Sequence, residues 1–223
     1  MKKKILVVCG GLLIVAVLAA VICFIILGDK NEANNDNALD ITGTWCVYQY
    51  GEKMIDNEQM VFDGETVKDY RDGNADEYMS SSYIFEDSTL KCPDVDLEFT
   101  VRIISENNIV LIEPNTMEWK LVRAANINEQ IKQVTEKDLV GEYILLSVAG
   151  EKKENETMIF DESSFTDYRN GEQFLVCDYE LTSANRLVAA DINKDYHVYI
   201  YNNFLLLVDI SEGHVWELLK NRK

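Results

Sequence analysis

One stretch of this chain occurs twice. Residues 57–73 read NEQMVFDGETVKDYRDG, and residues 155–171 read NETMIFDESSFTDYRNG. Nine of these seventeen positions are identical at a constant offset of 98. A repeat of that length marks a duplicated domain, since the short periods of solenoids run to 20–50 residues. Whatever the first copy folds into, the second folds into as well. Each copy must therefore form a complete unit within about 80 residues.

Ahead of the first copy stands an apolar run. Lys2, Lys3 and Lys4 precede Ile5–Leu27, which holds no charge. As a helix this run reaches across a hydrocarbon core about 30 Å thick. It is too long for the apolar region of a cleavable signal peptide, about 7–15 residues, and Ile25-Ile26-Leu27-Gly28 is a poor cleavage site. Cys9 and Cys23 each follow a bulky β-branched residue, so lipidation there is not expected. Residues 1–28 are expected to form one transmembrane anchor, crossing the membrane with residues 5–27. Basic residues stay on the cytoplasmic side, which places the N-terminus inside and the rest outside in a single-pass protein of the plasma membrane. The short basic head and long outer part have a bacterial cell-envelope character.

The outer part is acidic. The chain has 21 Lys and Arg against 39 Asp and Glu. Residues 1–28 hold three lysines and no acid, so the remainder carries 18 against 39, a formal charge of −21. Such a surface repels nucleic acid and anionic lipid, favours solubility, and suits cationic partners. Three cysteines lie outside the apolar run. That odd number is no disulfide framework, although Cys46 and Cys92 can pair if the fold brings them close.

The rest divides readily. Residues 29–39 are polar and Asn-rich and read as a flexible linker. Residues 40–123 form the first module and 138–223 the second. Residues 124–137 join them without strand alternation, with Thr135 as a helix cap before Asp138. In the first module, strands are predicted near 44–50, 58–63, 66–71, 78–86, 88–91, 97–105, 108–113 and 117–123. The second repeats the pattern near 142–148, 156–161, 163–169, 173–181, 186–190, 195–201, 204–209 and 214–220. Asp72-Gly73, Asn107-Asn108, Asn170-Gly171 and Asn202-Asn203 separate them with residues that tolerate tight hairpins. The fold class is mainly β: two tandem small antiparallel β-barrels behind one N-terminal transmembrane helix. Closure into a barrel removes the sheet edges.

The first module opens Ile41-Thr42-Gly43-Thr44-Trp45 and ends Trp119-Lys120-Leu121-Val122-Arg123. The second opens Leu139-Val140-Gly141-Glu142-Tyr143 and ends Trp216-Glu217-Leu218-Leu219-Lys220. With a G-x-W opening, a meander and a closing basic residue, each module resembles the bacterial lipocalin-like domains over nearly its whole length. The resemblance implies a cation–π contact of Trp45 with Arg123 that closes one barrel end. The second module departs at both positions together, with Tyr143 and Lys220 in their places. That substitution pairs a weaker aromatic with a weaker stacking cation.

Chemistry-bearing patterns are few. The two histidines, His197 and His214, both lie in the second module, and no nucleophile elbow is present. Zinc spacings are missing. Asp191-Ile192-Asn193-Lys194-Asp195 starts like a calcium loop, but Tyr196 stands where glycine is needed and Asn202 where the bidentate glutamate belongs. It reads as an acidic hairpin loop. The repeated Asp69-Tyr70-Arg71 and Asp167-Tyr168-Arg169 admit two readings. One is a twofold surface recognition patch; the other is hairpin structure with the flanking charges in water. No catalytic residue, cofactor or metal is expected. The sequence points to a non-enzymatic binding or interaction protein of the cell envelope. Its barrels either present outer faces to an envelope protein or polymer, or carry a small apolar ligand inside. A glycan-acting enzyme using paired carboxylates is the remaining alternative.

Overall fold

The computed structural model describes residues 39–127 and 130–222. The expected anchor and nearly all of the expected linker lie outside them. Among the described residues no helix is long and apolar enough to cross a membrane.

The first module is one antiparallel sheet. Its strands are β1 (Gly43–Tyr50), β2 (Lys53–Phe62), β3 (Thr66–Tyr70), β4 (Met79–Ser82), β5 (Ile84–Glu86), β6 (Thr89–Cys92), β7 (Leu97–Ser105), β8 (Asn108–Ile112) and β9 (Glu118–Arg123). They run in the order β4-β3-β2-β1-β9-β8-β7-β6-β5. The last strand pairs with the first, and the two edge strands, β4 and β5, are separated by Tyr83 alone. The sheet therefore curls into a nearly closed barrel. Asp94, in a 3₁₀ turn after β6, accepts from the backbone N–H and the hydroxyl of Ser82, both at 2.7 Å, and ties that turn to edge strand β4.

A hairpin of two short strands, β10 (Asn126–Ile127) and β11 (Gln130–Ile131), and a one-turn helix, α1 (Glu136–Leu139), lead into the second module. Thr135 caps that helix, its N–H and hydroxyl both donating to the Asp138 carboxylate at 3.0 and 2.8 Å. The second barrel comprises β12 (Gly141–Val148), β13 (Glu151–Lys152), β14 (Glu156–Phe160), β15 (Ser164–Arg169), β16 (Glu172–Asp178), β17 (Glu180–Leu181), β18 (Arg186–Ala189), β19 (Lys194–Tyr201), β20 (Phe204–Asp209) and β21 (Val215–Lys220). Its order, β16-β15-β14-β12-β21-β20-β19-β18-β17 with β13 beside β12, repeats the first. Asn170 and Gly171, with φ of 53° and 82°, make the two-residue turn between β15 and β16.

Duplication reaches into the irregularities. The strands expected over 78–86 and 173–181 each break at a tyrosine, Tyr83 and Tyr179. Each tyrosine stands edge-on to a buried phenylalanine, Phe62 at 5.2 Å and Phe160 at 6.0 Å. Both opening strands bulge, at Tyr48 in β1 and Leu146 in β12, the same 98 residues apart.

The two barrels differ in what covers their outsides. In β12 burial alternates, with Tyr143 and Leu145 inside and Ile144 39 % exposed. In β1 both faces are covered, and the matching Cys46 is only 1 % exposed. Cys46, Tyr48, Val122 and Ala124 pack against Tyr199, Leu206, Val208 and Val215 of the second barrel, forming a second core at the seam. Glu217 joins the barrels at its side, accepting from Ser105 of the first and from Ser147 of the second. The backbone N–H of Ala125 donates to Ile200 at 2.9 Å. Cys46 belongs to this seam, whereas Cys92 lines the interior of the first barrel; both thiols and that of Cys177 are buried and free.

Leu206 is fully buried in the seam, on a strand of the second barrel. Leu206→Ala is expected to lower unfolding free energy by about 2–5 kcal/mol in a chemical denaturation series. A loss under about 1 kcal/mol, the range of an exposed position, contradicts a packed seam.

Candidate functional site

In each barrel a basic residue of the last strand stands over an aromatic ring of the first. Trp45 and Arg123 face each other across β1 and β9, and the guanidinium carbon lies 4.3 Å from the ring centroid. The guanidinium also donates to the carbonyls of Thr42 and Glu106 at 2.7 and 2.8 Å. Trp45 Nε1 donates to the carbonyl of Ile41 at 2.8 Å. In the second barrel Tyr143 and Lys220 face each other in the same register, with the ammonium 5.4 Å from the ring. The Tyr143 hydroxyl donates to Leu139 at 2.8 Å, the carbonyl equivalent to that of Ile41. The glycine of the opening motif follows from this contact. A Cβ on Gly43 would stand 3.3 Å from the Arg123 guanidinium, and its φ of 113° disfavours any other residue.

The repeated Asp-Tyr-Arg tripeptides sit elsewhere, and their aspartates are not on the surface. Asp69 is 0 % exposed and Asp167 3 %. The expectation of a solvent-facing patch fails for a geometric reason. Asp69 pairs with Met60 and Asp167 with Met158, and directly paired residues share a face. Those methionines point inward, so the aspartates do too. Tyr70 is buried as well, on the opposite face of β3, while Tyr168, Arg71 and Arg169 keep partial exposure.

In each barrel the arginine two residues on holds one carboxylate oxygen. Arg71 Nε lies 2.8 Å from Asp69 Oδ2, and Arg169 Nε lies 3.1 Å from Asp167 Oδ2. A second acid approaches the same arginine, Glu58 at 3.5 Å and Glu156 at 4.0 Å. Each guanidinium stacks against a ring, Tyr78 at 3.8 Å and Phe174 at 3.5 Å. The other oxygen, Oδ1 of both Asp69 and Asp167, is buried with no hydrogen-bond partner among the described residues. An unmet buried acceptor costs roughly 1–3 kcal/mol, and the chain carries it at the same place in both copies. Burial pushes the Asp69 carboxyl up despite Arg71.

These aspartates line the barrel interiors. The first interior cavity measures about 90 Å³ and is walled by Met60, Phe62, Leu90, Phe99 and Leu111. The second measures about 50 Å³, walled by Met158, Phe165, Leu187, Tyr196 and Leu207. Side chains fill the remaining space.

A larger hollow lies between the barrels. A cleft of about 330 Å³ is lined by Asp56, Asn57, Asn74, Asn185, Arg186 and His197, with the β10–β11 hairpin side contributing Ile131 and Gln133. His197 Nε2 reaches across it to Asp56 Oδ1 at 2.9 Å. Burial lowers the His197 pKa, partly opposed by Asp56, so the ring meets Asp56 as a neutral donor at pH 7. Asn185 anchors the linker on the second barrel, accepting from the Val134 N–H at 2.8 Å and donating to the Lys132 carbonyl at 3.0 Å.

The calcium-like stretch is occupied by cations of the chain itself. Asp195 is bonded to Arg186, and Lys194 to Asp209 and Glu212. Among the described residues no group of three or more His, Cys, Asp or Glu side chains gathers as metal ligands. The sequence singled out neither the seam cleft nor the inward position of Asp69 and Asp167, which read as part of a surface tripeptide. The second had a signal: the alternation Val67, Asp69, Arg71 and Phe165, Asp167, Arg169 places the acid on the apolar face.

No family model, curated protein or solved structure matches the chain.

Glu58, beside Arg71, gives the first barrel a pH signature. Burial, then the Asp69 charge, raise its pKa to about 7, above the ordinary 4.5. A raised carboxyl stabilises the fold fully below its unfolded pKa, and that contribution is lost as pH rises through the folded value. The stability difference between wild type and Glu58→Gln is therefore expected to move against wild type from about pH 4.5 to about pH 7 and then level off. Denaturant midpoints across that range measure it; parallel curves for the two proteins contradict it.

Proposed function

We propose that this chain is a membrane-anchored, extracytoplasmic and non-enzymatic binding protein, built from two lipocalin-like modules. In this reading it meets a protein or envelope polymer through its outer faces and carries no drug-sized apolar ligand inside. The observation that carries it is the distribution of space. The interiors hold about 90 and 50 Å³, while the seam between the barrels opens about 330 Å³. Sites for drug-sized molecules run to roughly 300–1,000 Å³, so the seam reaches that range and the interiors do not.

The uncharged apolar run at residues 5–27 and the acidic remainder support the placement, as a charge of −21 suits a soluble outer surface. Enzyme chemistry lacks a stage here. Glu58 and Asp69 are a carboxylate pair, both pushed up by burial, but both lie against Arg71, and the cavity beside Asp69 is smaller than a sugar-binding cleft.

Native mass spectrometry of the full-length chain, released from detergent micelles after mild purification from its own host, tests this. The expected spectrum shows the chain without a co-purified apolar molecule. A reproducible adduct of several hundred daltons that vanishes on unfolding would overturn it in favour of internal carriage. The complementary reading is amide exchange with solubilised envelope polymer. Protection is expected at the seam around Asn57, Asn74 and Asn185, and protection confined to inward strands contradicts the proposal.

A further inference from the structure

We infer that each barrel carries a socket for a primary ammonium group on a short alkyl chain, with Asp69 and Asp167 as the paired acceptors. The inference stands on the sockets themselves and does not depend on the proposed anchoring or envelope location.

The chemistry follows from what each socket presents. Each is lined by an aspartate with one carboxylate oxygen, Oδ1, buried without a hydrogen-bond partner, while Oδ2 is held by Arg71 or Arg169. An ionised carboxylate accepts only, so the missing group is a donor. Around it stand apolar walls, Met60, Phe62 and Leu90 in the first barrel and Met158, Phe165 and Leu187 in the second. The group attached to that donor must therefore be hydrocarbon. Charge favours a cation over a neutral donor. Arg71 is outnumbered by Asp69 and Glu113, the latter lining the same cavity, and Arg169 by Asp167 and Glu156. The excess of acid over the whole of residues 29–223 draws cations toward both sockets.

Size and hydrogen count narrow the class. A quaternary ammonium has no N–H to give Oδ1. A guanidinium needs a planar, two-toothed partner, and here the second tooth is already taken by arginine. A primary ammonium on two to four methylenes matches both a single acceptor and cavities of about 90 and 50 Å³. Only a side-chain-sized group fits, which leaves the remainder of its carrier outside the barrel. Tyr78 and Phe174, 66 % and 60 % exposed, lie over the two arginines and give that carrier an aromatic rim. The same chemistry comes from a lysine side chain of a polypeptide or from a free alkylamine.

The site is retained in both copies, together with six other positions of the repeated stretch. The cation–aromatic pair has drifted from Trp45 and Arg123 to Tyr143 and Lys220. The inward aspartate, its arginine and the facing methionine are identical in both copies.

Calorimetric titration of the full-length chain tests the inference with n-alkylammonium ions from ethyl to hexyl, n-butanol, tetramethylammonium, and lysine amide acetylated at Nα alone or at both nitrogens. Saturable binding of the alkylammonium ions is expected, with affinity rising with length and then falling once the chain outgrows the socket. The roomier first barrel prefers the longer chain. Butanol, tetramethylammonium and the doubly acetylated lysine bind at least about tenfold more weakly, the loss expected when a charged hydrogen bond is missing. Asp69→Asn and Asp167→Asn each remove one of two sites. Tighter binding of the Nα-acetylated lysine amide than of butylammonium identifies a polypeptide lysine as the source, and the reverse order identifies a free amine. Equal binding of butanol and butylammonium overturns the inference, as does affinity without length dependence or an absence of saturable binding. These readouts use the wild-type chain, so they hold even where an asparagine variant fails to fold.

Discussion

Each module depends on one pairing, the last strand laid on the first. Without it, β1 and β12 would be sheet edges, and a nine-stranded meander would stay open with its apolar face wet. The pairing sets register by a contact no other alignment reproduces. Arg123 lies opposite Trp45 and Lys220 opposite Tyr143, each cation over its ring. A slip of one residue would turn every inward side chain of the closing strand outward. Once closure is fixed, β3 and β15 follow in register, and the aspartate of the repeated tripeptide is carried inside with its arginine at the rim. The buried acceptor is thus a consequence of alternation along a closed wall.

Duplication then adds a second constraint. A lone small barrel presents a wet outer face on every strand. Here β1 and part of β20 are covered on both sides, and the seam core of Cys46, Tyr48, Leu206 and Val208 is as dry as either interior. Glu217 and the His197–Asp56 contact add polar links across the same boundary. The second barrel's β12 keeps ordinary alternation, so the two modules are related by descent but no longer equivalent in packing. Burial of the Cys46 thiol raises its pKa and leaves it inert, in keeping with a role as packing.

Much of the fold was legible. The 98-residue repeat gave the number of modules, and the Asp-Gly and Asn-Gly steps marked turns where the chain does turn. Every predicted strand is present, with two of them broken at Tyr83 and Tyr179. Those breaks escaped because the corner depends on a distant phenylalanine and not on a local turn signal. Seam burial left a trace that alternation alone missed: Phe204-Leu205-Leu206-Leu207-Val208 is continuously apolar, as strands covered on both faces are. The inward aspartates were written in the period-two pattern but read as surface because a charged residue is rarely fully buried. The seam cleft had no sequence signature, since its lining comes from distant segments that only packing brings together.

The central claim is that the two barrels form one packed block through the seam. Native-state amide exchange across the full-length chain tests it most directly. The account predicts that β1 and β20, one from each barrel, exchange together among the slowest amides, through the same opening event. Exchange of β1 through a separate, lower-energy opening, with β20 still protected, would contradict it and leave two barrels that merely touch.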